Sequence, residues 1–161
     1  MIKINYASLN MAKSFGLAVK SVCEEKKYLS NSKGFSEEET INFVKNIIEK
    51  KYSQFYAIDK NKVIGWCDII PKPQEFHSHV GILGTGLIKN YRNQGIGTKL
   101  IKKTIAYAKK NGIEKIELEV FESNTVAQKA YQKIGFEIEG IKRKSKKHNN
   151  KYENVIIMGL I

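Results

Sequence analysis

The sequence predicts one α+β domain, residues 1–161, built on a mostly antiparallel twisted sheet of about seven strands flanked by four helices. Three observations predict it. Apolar spacing switches between period two and a helical period in the order strand, two helices, three strands, helix, strand, helix, two strands. Turn chemistry at Asp59-Lys60-Asn61 joins two neighbouring strands directly, which makes them an antiparallel pair. Finally, 161 residues with 42% apolar content suit one domain with a real core, and no repeat or low-complexity stretch marks a second.

Ile2, Ile4 and Tyr6 alternate with polar residues, so the domain opens on a half-buried strand, and helical spacing follows from Met11 to Cys23. Glu24 to Phe35 is polar, carries Asn31, Ser32 and Gly34, and reads as a loop at a substrate entrance. Ser36-Glu37-Glu38-Glu39 has the form of a capping box; Ile41, Val44, Ile47 and Ile48 fall on one face of the helix it starts, which runs to about Lys50. Phe55 to Ile58 and Lys62 to Ile70 are rich in strand formers, and Pro71 and Pro73 stop the second. Val80 to Lys89 resumes as a strand whose Gly81, Gly84 and Gly86 predict a bulge or the close approach of something bound.

Leu100, Ile101, Thr104, Ile105 and Ala108 share a helical face that ends at Asn111-Gly112. Ile116, Leu118 and Val120 then alternate with Glu117 and Glu119 in a strand. A short helix follows Asn124, with Val126, Ala127, Ala130, Tyr131 and Ile134 on one side and Gly135 at its end. Two strands, near Phe136 to Ile141 and Tyr152 to Leu160, close the domain around a basic loop.

Charge narrows the function classes without choosing one. With 28 Lys and Arg against 16 Asp and Glu, the formal charge of +12 attracts anions of any kind. The densest run, Lys142 to Lys151, has six basic residues in ten and no aromatic residue, which favours a solvated hairpin loop over a nucleic-acid platform. Cys23 and Cys67 fit neither a disulfide framework nor a zinc site, and His77 and His79 are too few ligands for a metal. No stretch approaches the ~20 apolar residues of a membrane span, and the amino terminus lacks a signal-peptide core, so a reduced, cytoplasmic setting is expected.

The chemistry concentrates at a strand-to-helix junction, Leu87 to Lys99. A helix start leaves about four backbone N–H groups unpaired, and together with the helix dipole they make an anion site. Gly95 and Gly97 let a diphosphate approach the backbone, and Arg92, Lys99, Lys102 and Lys103 add positive charge nearby. The segment lacks the Gly-x-x-x-x-Gly-Lys-Ser/Thr of a P-loop, and Leu100 stands where a dinucleotide fingerprint needs its third glycine.

Arg92-Asn93-Gln94-Gly95-Ile96-Gly97 resembles the Arg/Gln-x-x-Gly-x-Gly/Ala signature of the GNAT superfamily of N-acetyltransferases. The order of elements is similar to the order of that acyl-CoA N-acyltransferase fold, and Glu119 to Asn124 with Ala130 to Phe136 resembles its second signature region. The carboxy-terminal part is similar to the bacterial branch that acetylates small amines, amino acids or protein N-termini. The resemblance implies acetyl-CoA as cosubstrate, its pyrophosphate on the amides of Asn93, Gln94, Gly95, Ile96, Gly97 and Thr98. It also implies a pantetheine arm laid as an extra strand against Thr85, Gly86 and Leu87, Asn124 close to the cofactor, and Tyr131 as general acid.

Acetyl transfer by direct attack in a ternary complex needs a neutral amine, a polarised carbonyl and a proton for the leaving thiolate. A backbone N–H near Leu87 is the candidate for the carbonyl, Tyr131 for the thiolate, and Glu119 for the amine's proton. Each has a plainer alternative: Tyr131 as a core aromatic, Asn124 as a helix cap, Glu119 as a solvated strand position. Asp68 and Glu75 are further candidates to receive the acceptor, a small-molecule or peptide amine. A basic nucleic-acid or ribosome-associated module on the same fold is the competing expectation, and pairing of two copies through the last strands is compatible with it.

Overall fold

A computed structural model of the chain describes every residue, 1–161. Seven strands and four helices follow one another as β1 (Lys3–Tyr6), α1 (Ala12–Glu24), α2 (Glu37–Lys50), β2 (Ser53–Asp59), β3 (Lys62–Pro71), β4 (Val80–Leu87), α3 (Ile96–Lys110), β5 (Lys115–Phe121), α4 (Thr125–Ile134), β6 (Glu137–His148) and β7 (Lys151–Leu160). They form a single sheet in the order β1-β2-β3-β4-β5-β7-β6, in which β4 and β5 are the parallel pair.

Local chemistry explains the helices. The capping box at the start of α2 closes in both directions, Glu39 N–H to Ser36 Oγ at 3.1 Å and Ser36 N–H to Glu39 Oε2 at 3.2 Å. Asn124 caps α4 by accepting from the Ala127 N–H at 3.3 Å. The apolar faces of α1 and α2 bury Phe15, Val44 and Ile47 against Tyr56 and Trp66 on one side of the sheet. On the other side α3 and α4 cover Ile116, Leu118 and Met158 with Leu100, Ile101 and Tyr131. Each wholly buried Leu or Ile in these layers stabilises the fold by about 1.5–3 kcal/mol.

Two expectations are corrected. The glycines of β4 make no bulge: its register with β3 is unbroken from Gly65↔Leu87 to Pro71↔Gly81. They make room instead, since a Cβ on Gly81 would strike the Ile69 side chain and one on Gly86 the ring of Trp66. The basic stretch is not a loop either. β6 runs on to His148, turns through Asn149 and Asn150, both at positive φ (49° and 60°), and pairs back from Lys151. An all-polar strand carries no hydrophobic period, and this one is held by cations over rings, with Lys146 Nζ 3.8 Å from the centre of Phe121.

Candidate active site

Of the three helices that follow loops or turns with glycine or polar caps, α3 alone starts without a side chain closing its first turn: Ser36 and Asn124 cap α2 and α4, whereas Gly95 opens α3 at φ +79° and caps nothing. The N–H groups of Ile96, Gly97 and Thr98 have no preceding helical carbonyl, because the first helical bond runs from Lys99 to Gly95 at 3.3 Å. No acidic side chain occupies that turn, and a Cβ on Gly95 or Gly97 would meet no atom within 4 Å. The turn therefore presents bare amides and the positive end of a helix dipole to open space.

A second set of free peptide groups lies on β4. Lys72 N–H donates to the Val80 carbonyl and Ile88 N–H to the Ile64 carbonyl, each at 2.9 Å, so the even-numbered residues between them face β3. Odd-numbered residues face β5, whose pairing with β4 covers only Val80–Ile82. Beyond that point the strands part, and the backbone of Thr85 and the N–H of Leu87 are left without a strand partner. The Leu87 carbonyl is taken by Arg92 Nε at 2.9 Å. Gly86, turned toward β3, offers the gap only its missing side chain.

A cavity of about 750 Å³ fills the split between β4 and β5 and reaches the start of α3. It brings together Gly86, Leu87, Arg92, Asn93, Gly95, Gly97, Thr98, Asn124 and Tyr131. Thr85, Gln94 and Ile96 stand outside its lining: the Thr85 hydroxyl donates to the Trp66 carbonyl at 2.7 Å, Gln94 Nε2 donates to the Asn90 carbonyl at 3.2 Å, and Ile96 is buried in the core. Tyr131 is the one buried residue of α4, while Val126, Ala127 and Ala130 wall the cavity, Ala127 also packing against the core. The Tyr131 ring packs edge-on against Phe136, and its phenol is pushed up by burial and then by the Cys67 thiol. A phenol held protonated beside an open cavity is placed to give a proton away.

Arg92 departs from expectation. Its guanidinium grips Glu25 at 2.8 and 2.5 Å and lies 4.8 Å from the centre of the Tyr28 ring, so its charge is spent bracing the end of α1 against the turn before α3. The pairing holds the Glu25 carboxyl below its ordinary range. Lys103 also lies elsewhere, donating to the Ile4 carbonyl at 3.0 Å. Glu25, Lys26 and Tyr28 went unread in the sequence because a polar loop has no period; the lone Arg at the turn was the only hint that an acid must meet it.

A smaller cavity of about 310 Å³ adjoins the first and shares Lys26, Tyr28 and Lys146 with it. Its walls are the loop after α1, Glu119 and Phe121 of β5, and Ser145 to His148 of β6. Glu119 stands here rather than in the larger cavity, exposed and ion-paired with Lys142. Glu75, His77 and His79 lie beyond the start of β4, about 23 Å along the strand from Leu87, and take no part in either cavity.

A split parallel pair topped by a glycine turn, with a phenol on the facing helix, defines an acyltransferase architecture. The model of the Acetyltransferase (GNAT) family matches residues 22–136, and the chain belongs to that family. It is 30% identical over 109 residues to the L-amino acid N-acetyltransferase AaaT of Escherichia coli, a match covering 67% of each protein. Across the first curated relatives the match spans 55% to 76% of their lengths. An acetyltransferase of the GNAT family from Streptococcus pneumoniae superposes with a TM-score of 0.93 at 26% identity over 99% of both chains. A phosphinothricin acetyltransferase from Sinorhizobium meliloti, solved in complex with AcCoA, shares the fold with a TM-score of 0.91 at 15% identity, over 99% of this chain and 87% of that one.

Proposed function

We propose that the protein transfers the acetyl group of acetyl-CoA to the primary amine of a small molecule or amino acid, by direct attack in a ternary complex. The observation that carries this reading is the larger cavity, where the bare amides of α3, the unpaired edge of β4 and the phenol of Tyr131 converge. The amides of Asn93 to Thr98 would hold the pyrophosphate. Thr85 and Leu87 would hydrogen-bond the pantetheine arm as a neighbouring strand does.

The Leu87 N–H polarises the thioester carbonyl, and Tyr131 protonates the departing sulfur. Glu119, on the wall of the smaller cavity, attracts the acceptor's ammonium there. A covalent acyl-cysteine route has no support: Cys23 and Cys67 are buried and both thiols are pushed up by burial. Calorimetry with coenzyme A tests the binding half of the proposal, and thiol release from acetyl-CoA across small amines, amino acids and peptides tests the transfer half. Absence of coenzyme A binding, or release only with peptides, overturns it; RNA binding with a steep salt dependence and no release would favour the basic-module alternative.

A further inference from the structure

Asp68 is a carboxylate the mechanism above does not use. It sits in the middle of β3, part-buried, on the sheet face of Tyr56 and Trp66. Gln54 Nε2 donates to its Oδ2 at 3.3 Å, and the Tyr56 hydroxyl donates to Gln54 Oε1 at 3.0 Å. Gln54 and Tyr56 are wholly buried, so Tyr56 fixes the amide and leaves its N–H side turned to Asp68.

No cation answers this carboxylate within 4.0 Å. Lys72 and Lys115 pair with Glu117, Lys142 with Glu119 and Arg92 with Glu25. Burial raises Asp68 to about 7, against the opposing pull of the Gln54 hydrogen bond. Cys67, its neighbour in sequence, points to the other face.

Gly84 connects Asp68 to the site. It is the register partner of Asp68, and a Cβ there would sit 3.2 Å from Asp68 Oδ1, so the missing side chain opens the face of β4 at this level. On the other side, the register of β4 with β5 ends at Ile82 and Glu117, and Glu119, two residues on and on the same face, stands across the split from Gly84. Two carboxylates thus flank a floor without a side chain, just before the open backbone of Thr85 and Leu87. Glu119 also lines the smaller cavity.

Resting on the transferase reading above, we infer that Asp68 is the proton acceptor for the incoming amine, which lies as an ammonium over Gly84 between Asp68 and Glu119. The ammonium gives one proton to the Asp68 carboxylate. The neutral nitrogen then forms its bond to the thioester carbon, the carbon–sulfur bond breaks with its electron pair on sulfur, and Tyr131 protonates that sulfur. The second proton of the nitrogen restores the phenol through water, and Asp68 returns its proton to solvent.

The chain has only two aspartates, Asp59 and Asp68, so protein labelled with 13C-aspartate gives two carboxyl signals. With coenzyme A bound, the signal that Asp68→Asn removes is expected to titrate near 7. L-alaninamide, an ammonium probe without a carboxylate, is expected to lower that midpoint by at least half a unit, roughly, and to leave Asp59 unmoved. A midpoint below about 5, or one the probe does not move, overturns the role of Asp68 and leaves the transferase reading standing. A sample that binds no coenzyme A by calorimetry overturns both.

Discussion

The larger cavity sets unpaired peptide groups among side chains of α4 and of the loop after α1, whereas the smaller one is lined mainly by polar and charged side chains. At the first, the start of α3, the edge of β4 and the space above Gly95 and Gly97 supply the binding groups of the proposed reading, and Tyr131 its proton donor. At the second, Lys26, Ser30, Asn31, Glu119, Lys146 and Lys147 face the same volume from three separate parts of the chain. A backbone site demands glycine at fixed spacing and tolerates little else. A side-chain site can be rebuilt by substitution without touching the fold, which is how one architecture serves many acceptors.

The largest expected effect separates the two regions by chemistry rather than by binding. Tyr131→Phe removes the proton donor but keeps the ring against Phe136. Thiol release is expected to fall by about 10²- to 10⁴-fold while coenzyme A affinity stays within roughly threefold. Equal losses in both, by steady-state kinetics and calorimetry, would make Tyr131 a packing residue only.

Glycines supply the next test, because two of them look alike in sequence and differ in space. An alanine at Gly97 meets nothing within 4 Å, so Gly97→Ala should leave the melting temperature unchanged or slightly raised. The signature admits that methyl, so coenzyme A affinity is expected to stay within a few fold, whereas the longer side chain of Gly97→Leu would enter the space above the amides and lower affinity by about tenfold or more, roughly 1.4 kcal/mol. Gly86→Ala drives a methyl into Trp66 and should instead destabilise the fold by about 1–3 kcal/mol. If Gly97→Leu binds coenzyme A normally, the backbone site is elsewhere.

The same division decides what was legible in the sequence. The glycine turn and the order of elements are local: period, caps and turns name them, and the capping box at Ser36 appears in the structure as written. β6 beyond Ile141 was not legible, because its lysines alternate without an apolar face and its partners Phe121 and Tyr152 lie on other strands. The bracing of Arg92 by Glu25 needs two residues 67 apart to meet, and the Tyr56, Gln54 and Asp68 chain needs the β2–β3 register; spacing alone specifies neither.

Asp68 gives a smaller effect whose sign is set by titration. Its folded value, about 7, lies above the ~3.9 of an unfolded aspartate, so the fold favours the protonated acid. Its contribution is complete below the unfolded value and is lost as pH rises through about 7. Asp68→Asn has no charge to bury and should be the more stable protein at pH 8, by on the order of 1–2 kcal/mol once solvent access is discounted, or several degrees in melting temperature. Near pH 4 the two should melt together. A wild type that gains stability between pH 4 and 7 relative to the variant would reverse the assignment.

The smallest effect concerns the lysines of β6. Lys146 is committed to Glu153 at 3.0 Å and to the Phe121 ring, whereas Lys147 lines the smaller cavity with only the Tyr152 ring, 5.3 Å away, as a partner. An acceptor that carries an anionic group beside its amine would use Lys147 and Lys26 before Lys146. Exposed charges of this kind are worth about 0.2–1 kcal/mol, so Lys147→Gln is expected to raise the Michaelis constant of such an acceptor by roughly two- to fivefold at low salt. The constant for acetyl-CoA should not move, and the difference should fade as added salt shortens the reach of the charge. A change in both constants would mean that Lys147 serves the wall shared by the two cavities, and no change in either would leave it a solvated strand residue.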